Sequence, residues 1–130
     1  MLSHAHGDHT GGLGELLGTG VRPTVYVPRS FPARFKEDVR SLTTLIEVQG
    51  PVEVQPGIYT TGEVGRGLVE QALTVETGDG LVVITGCAHP GIVKMVRSAE
   101  ESFGGKVYLV MGGFHLGGRS QRRVMGIIAD

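Results

Sequence analysis

The chain has one cysteine, Cys87, no tryptophan and no long apolar run. One cysteine excludes an internal disulfide and is typical of a reducing, cytoplasmic compartment. No segment offers the roughly 18 apolar residues that a membrane span needs. The first residues also lack the basic and apolar regions of a signal peptide. We therefore expect a cytoplasmic protein without a membrane partner.

The charge is nearly balanced, at a formal net value of −1. This balance predicts no attraction to nucleic acid or to an anionic surface and leaves a small-molecule substrate as the expected partner. Basic residues concentrate only at Arg119, Arg122 and Arg123, which we interpret as a solvated helix face rather than a phosphate site. The 130 residues fit one domain, 1–130, with its own core.

Short elements joined by glycine-rich turns are predicted along the chain, which contains 22 glycines. In the first half we expect Met1 and Leu2 to end a strand, helices over 13–17 and 30–42, and strands at 25–27, 45–48, 52–54 and 58–61. In the second half we expect a hairpin of strands 72–76 and 81–85, a helix over 92–103, a strand at 107–111 and a helix over 120–128. The helix over 92–103 should bury Ile92, Val93, Val96 and Ala99. The apolar strands near 81–84 and 107–111 should be buried.

The segment His4-Ala5-His6-Gly7-Asp8-His9 places three histidines and an aspartate within six positions. Imidazoles and carboxylates are ligands for zinc and related divalent ions. In an extended loop, His4 and His6 can face one ion, and Asp8 with His9 can face a second about 3.5–4 Å away. A polar loop with unrelated histidines, or an affinity tag, is the alternative. The interposed Asp8 and the following glycines argue against it.

Further ligands are expected at His89 and His115, because each follows the end of a predicted strand. His89 could instead cap a helix, although we favour a ligand role. For His115 a ligand role and a structural role are nearly balanced, and the glycines on both sides slightly favour the ligand role. Cys87 is either a buried small hydrophobe or a metal ligand. Glu63 and Glu70 could supply carboxylates, but we expect them at the surface.

The pattern His-x-His-x-Asp-His resembles the signature of the metallo-β-lactamase superfamily. Later segments are similar to a prokaryotic branch often labelled 7,8-dihydropterin-6-methyl-4-(β-D-ribofuranosyl)-aminobenzene-5′-phosphate synthase. These are Thr61-Gly62-Glu63, Glu70-Gln71-Ala72-Leu73, Thr85-Gly86-Cys87-Ala88-His89-Pro90-Gly91-Ile92 and Gly112-Gly113-Phe114-His115-Leu116. The resemblance implies an α/β fold of αβ/βα sandwich type, with a dinuclear site at one edge.

By the family pattern, His4 and His6 would hold the first metal and Asp8 with His9 the second, while His89 and His115 would complete the ligand spheres. Cys87 stands where many members carry a bridging aspartate. The resemblance also implies a partial sandwich, lacking the N-terminal strands and the C-terminal end of its relatives. Such a sandwich would leave an open apolar face, which could mediate a homodimer.

The implied function is a metal-dependent hydrolase in which a metal-bound hydroxide attacks an ester, lactone or phosphoester, with synthase-like chemistry as a narrower form. Asp8 would be the catalytic residue that orients the nucleophile. We expect two zinc ions, with iron or manganese as substitutes. A non-catalytic metal- or ligand-binding fragment is the alternative, and redox chemistry at a di-iron site is a third reading.

Overall fold

Two sheets form the framework of the structure, a computed structural model that describes residues 1–129. The first sheet pairs two parallel strands, β1 (Val25–Pro28) and β2 (Leu45–Val48). The second sheet has the order β3-β4-β5-β6-β7. Its strands are β3 (Val52–Gln55), β4 (Ile58–Thr60), β5 (Leu73–Thr77), β6 (Gly80–Thr85) and β7 (Val107–Gly112). Neighbours in it are antiparallel except β6 and β7, which run parallel.

Five helices accompany these strands within the described range: α1 (Gly7–Thr10), α2 (Gly12–Gly18), α3 (Ala33–Arg40), α4 (Ile92–Phe103) and α5 (Gln121–Ala129). The helix over 92–103 is confirmed residue for residue. The histidine segment was expected to be a loop with Asp8 and His9 on a bend, and in the structure this second half forms the helical turn α1. None of the helices in residues 1–129 is long and apolar enough to cross a membrane.

The larger core lies between α4 and the second sheet. Ile92, Met95 and Ala99 are the buried residues of this helix, and their spacing places them on one face. Met95, which sequence reasoning did not assign to the core, is fully buried. Val93 and Val96, predicted to point inward, are only partly buried.

A smaller core joins the first sheet to α3. Val25 and Val27 of β1 pack with Phe31 and Val39. The predicted strands at 25–27 and 45–48 and the amphipathic helix within 30–42 are therefore confirmed, and each contributes one apolar face.

The expectation that the strands near 81–84 and 107–111 are buried is wrong in part. Along β6, Leu81 and Val83 are buried, whereas Val82 and Ile84 keep partial exposure. In β7 only Val107 and Val110 pack against the core, and Tyr108 is 64% exposed. The side chains of β7 are exposed because it is the edge strand of its sheet, with β6 as its only strand partner among the described residues.

The first residues connect the two sheets instead of ending a strand. The Leu2 N–H donates to the carbonyl of Tyr26 in β1 at 2.9 Å, and the Gln71 N–H donates to the Ser3 carbonyl at 3.0 Å. The buried Gln71 side chain also donates to the Leu2 carbonyl at 2.8 Å and accepts from Thr60 at 2.6 Å. These hydrogen bonds fix the backbone that carries His4.

Candidate metal centre

All five histidines of the chain meet in one cluster. The ring centroid of His4 lies 4.7 Å from that of His6, 4.3 Å from His9 and 4.8 Å from His89. His89 lies 4.8 Å from His6 and 4.5 Å from His115. Three separate parts of the chain therefore contribute imidazoles to one cluster.

The ends of the parallel strands β6 and β7 bring the late histidines together. His89 follows β6, and His115 follows β7. Their loops touch at glycine, because a Cβ added to Gly113 would lie 2.5 Å from the carbonyl oxygen of Gly86. The close approach of the two histidine loops therefore requires glycine at position 113.

The tightest group of donor atoms belongs to His4, Cys87 and His89, whose ligand atoms all lie within 4.8 Å of one another. His4 is fully buried, and its Nε2 is 3.2 Å from Nδ1 of His6. His9 Nε2 lies 3.1 Å from the Cys87 sulfur. The structure thus brings the cysteine, which the sequence left open, into the centre of the histidine cluster.

Burial lowers the pKa of His4, and the neighbouring imidazoles lower it further against the opposing effect of Glu70. Burial and His115 likewise lower the pKa of His89. Both rings are therefore neutral near neutral pH and keep a lone pair for coordination. The pKa of Cys87 is raised by burial and by nearby carboxylates, so its thiol needs a strong cation to ionise.

One buried atom shows that these residues fit a metal ion. Nε2 of His89 is buried and has no hydrogen-bond partner among residues 1–129. An unpartnered buried nitrogen is costly, and coordination to a cation would satisfy it. The surrounding donors are imidazoles and a thiol, a set that suits zinc and also iron. The cluster therefore has the chemistry of a divalent-metal site.

Glu70 is the important residue that sequence reasoning placed wrongly, at the surface. Its side chain is fully buried. Oε1 accepts from the N–H groups of Cys87 and Ala88 at 2.9 and 3.0 Å, and Oε2 accepts from the His89 N–H at 3.0 Å. Oε2 also lies 3.8 Å from His4 Nδ1. This one carboxylate therefore holds the loop that carries Cys87 and His89.

The loop sequence indicates that an acceptor is needed, but not which residue supplies it. The segment 86–89 contains three consecutive N–H groups, at 87–89, that no strand or helix satisfies, so an acceptor had to come from elsewhere. Glu63, the other carboxylate considered, is partly buried and accepts from the Ser30 N–H at 2.6 Å.

The predicted residues Asp8 and His115 lie at the rim of the cluster. The Asp8 side chain is 75% exposed, and its Oδ2 is 3.5 Å from His9 Nε2. His115 is exposed and has a φ of 49°, and Ala88, next to His89, has a φ of 53°. Left-handed backbone at two non-glycine residues is strained and is common at binding sites. The metal-binding roles of all these residues stay predictions.

Acidification is expected to destabilise the metal-free chain. The folded-state pKa of His4 and of His89 lies below the ordinary value of 6.5, so the unfolded chain binds protons that the folded chain refuses. Stability is therefore complete above roughly pH 6.5 and falls as the pH drops below it. Urea unfolding in the presence of a chelator, from about pH 7 to about pH 5, measures this loss. Unchanged or rising stability over that range would contradict the expectation.

Comparisons with known proteins identify the family of this chain. The family model described as the metallo-beta-lactamase superfamily matches residues 1–103. A 7,8-dihydropterin-6-methyl-4-(beta-D-ribofuranosyl)-aminobenzene-5'-phosphate synthase of Methanocaldococcus jannaschii is 28% identical over 174 aligned positions. That alignment covers 98% of this chain and 59% of the relative.

Among solved structures, a metal-dependent hydrolase of the β-lactamase superfamily matches with a TM-score of 0.79 and 27% identity. The match covers 98% of this chain and 61% of that structure. An N-acyl homoserine lactone hydrolase shares the fold, with a TM-score of 0.54, 19% identity and coverage of 85% and 53%. The chain thus spans about three fifths of the length of the first two.

These matches confirm the predicted α/β fold as a part of the αβ/βα sandwich. The histidine motif that suggested this fold lies inside the matched residues 1–103. The loop of His89 and the Glu70 carboxylate that supports this loop lie there too. The chain belongs to the metallo-β-lactamase superfamily.

Proposed function

We propose that the chain is the metal-binding part of a hydrolase that cleaves an ester, lactone or phosphoester bond in a small molecule. The observation that carries this proposal is a cluster of five imidazoles in which three rings surround that of His89, whose buried Nε2 has no partner in the described structure. Four imidazoles serve no packing purpose there that apolar side chains would not serve better.

The proposed ligand set is His4, His6, Asp8, His9, His89 and His115, with Cys87 as an additional donor. A bound divalent metal supplies Lewis acidity and water of lowered pKa. We propose two metal ions, zinc first and iron or manganese as substitutes, because six or seven donors exceed what one tetrahedral ion accepts.

The chain's own residues contribute positioning and proton handling. Glu70 fixes the backbone of 87–89, and Gln71 fixes the backbone before His4. Asp8 is exposed beside His9, where its carboxylate can accept a proton from an attacking water and orient that water. The catalytic group is thus the accessible one, whereas the positioning groups are buried.

A synthase-like reaction is the narrower form of this proposal. It is supported by the likeness to the Methanocaldococcus jannaschii synthase, which extends over 98% of this chain. Since only 59% of that relative is covered, the reaction of the whole relative comes to this chain as a hypothesis.

The test combines metal analysis with a hydrolysis panel. We expect about two equivalents of zinc, iron or manganese per purified chain, as in two-metal hydrolases. We also expect turnover on at least one class among lactones, carboxylic esters and phosphodiesters. Substoichiometric metal with no turnover on any class would contradict the proposal and favour a non-catalytic fragment.

A further inference from the structure

A cavity of about 470 Å³ adjoins the histidine cluster between the start of α4 and the segment that leads into α5. His89 lines it on the side of the cluster. Apolar side chains line much of the remainder, namely Ile92, Val93, Phe114, Leu116 and Ile127. The cavity therefore offers an apolar surface that ends at the candidate metal site.

Four cationic side chains also line this cavity. Lys94 and Arg97 come from α4, Arg119 precedes α5, and Arg123 belongs to α5. None of its described lining residues is acidic. Within residues 1–129, none of the four forms a salt bridge. The lining of the cavity therefore carries four positive charges that no carboxylate of the described chain pairs with.

Arg119 is tied to the histidine cluster. Its Nε donates to the carbonyl oxygen of His115 at 3.1 Å, and the residue is partly buried. This contact uses one N–H of the guanidinium and leaves the terminal nitrogens for another acceptor. An arginine held in this way is suited to two-pronged binding of an oxyanion.

The N-terminus of α4 adds a second kind of anion-binding group. This twelve-residue helix begins after Gly91, has no side-chain cap and has no acidic residue in its first turn. Pro90, Gly91 and Ile92 all line the cavity. The free N–H groups and the positive end of the helix dipole therefore lie beside the four cations.

We propose that this cavity binds the phosphate group of a small-molecule substrate, with the apolar lining holding the adjacent ring or aliphatic body. A doubly charged phosphate matches several cations and free N–H groups better than a singly charged carboxylate does. Because His89 belongs to both the cavity and the histidine cluster, one molecule can reach both. The inference rests on the proposed function in placing the reacting bond at the histidines.

The sequence analysis interpreted Arg119, Arg122 and Arg123 as a solvated helix face, but in the structure these three residues have different surroundings. Arg119 and Arg123 line the cavity, whereas Arg122 does not and is exposed. Arg122 lies on α5 beside Arg123 and carries the same charge. It is therefore a matched control for general electrostatic attraction.

Phenylphosphonate is the probe, since its carbon–phosphorus bond resists hydrolysis, and calorimetric titration of the purified metal-loaded protein measures its affinity. We expect the double variant R119Q/R123Q to bind it at least about tenfold more weakly, because charge-assisted hydrogen bonds are lost. R122Q should bind within about twofold of the unchanged chain. Benzoate should bind the unchanged chain more weakly than phenylphosphonate does.

Equal weakening in R122Q, wild-type affinity in the double variant, or no binding to the unchanged chain would each overturn the phosphate site. Circular dichroism and metal analysis of each variant separate these outcomes from misfolding or metal loss. If R119Q/R123Q fails to fold, R119K and R123K, which keep the charge but lose the planar fork, replace it and should still weaken binding. The hydrolysis panel is independent, so a failed hydrolase proposal and a failed phosphate site give different results.

Discussion

Alanine at both His4 and His6 is expected to remove bound metal from the purified protein and to abolish any metal-dependent turnover. His4 is the buried centre of the cluster, within contact distance of three other imidazoles, and His6 Nδ1 lies 3.2 Å from its Nε2. Losing outer-sphere partners alone costs about 10–100-fold in metal affinity, so losing two proposed ligands should cost more than about a hundredfold. Elemental analysis measures the metal content, and competition with a chromogenic chelator measures the metal affinity.

Thr10→Ala is the matched control for this pair. Thr10 lies in the same segment, and its hydroxyl donates to the His6 carbonyl at 3.2 Å without offering an imidazole. Metal content in this variant should remain that of the unchanged chain. Because alanine at the buried His4 also leaves a cavity, His6→Ala alone provides a second measurement at an exposed position. Full metal content in both histidine variants would refute the ligand assignment.

Glu70→Gln is expected to lower the free energy of unfolding by about 2–4 kcal/mol, a large effect for a substitution that keeps the side-chain shape. The carboxylate accepts three backbone N–H groups, at Cys87, Ala88 and His89. An amide has one oxygen, so its NH₂ group would face at least one of these donors and leave it unpaired inside the protein. Chemical unfolding of the metal-loaded protein measures the loss.

The same substitution at Glu63 is the control. Glu63 accepts a single N–H, from Ser30, and is only partly buried, so Glu63→Gln should cost less than about 1 kcal/mol. Metal affinity should also fall in Glu70→Gln, by about 10–100-fold, because the loop of Cys87 and His89 loses its support. Equal effects at the two glutamates would show that Glu70 has no special role in this loop.

Elements with strong local signals could be predicted from the sequence. The helix α4 has its apolar face, a glycine before it and a glycine after it, and it was predicted with its observed bounds. The hairpin of β5 and β6 followed from the turn around Gly78 and Asp79. The histidine segment indicated metal binding because its three histidines and one aspartate lie within six positions.

The predictions that were wrong concern residues whose burial depends on contacts distant in sequence. Nothing beside Glu70 indicates that three N–H groups at 87–89 will face it, since the pairing exists only after β6 is in place. The exposure of β7 depends on its position at the sheet edge rather than on its apolar composition. Periodicity likewise could not decide that Met95 would be buried more deeply than Val93.

The meeting of His9 with Cys87 has a topological consequence. These residues are 78 positions apart, so a metal ion held by both would close most of the chain into a ring. In the chain-entropy description of a covalent cross-link, a ring of that size restricts the denatured ensemble by about 4.5 kcal/mol. Metal at this point would join the N-terminal segment to the loop between β6 and α4, and its release would accompany cooperative unfolding rather than precede it.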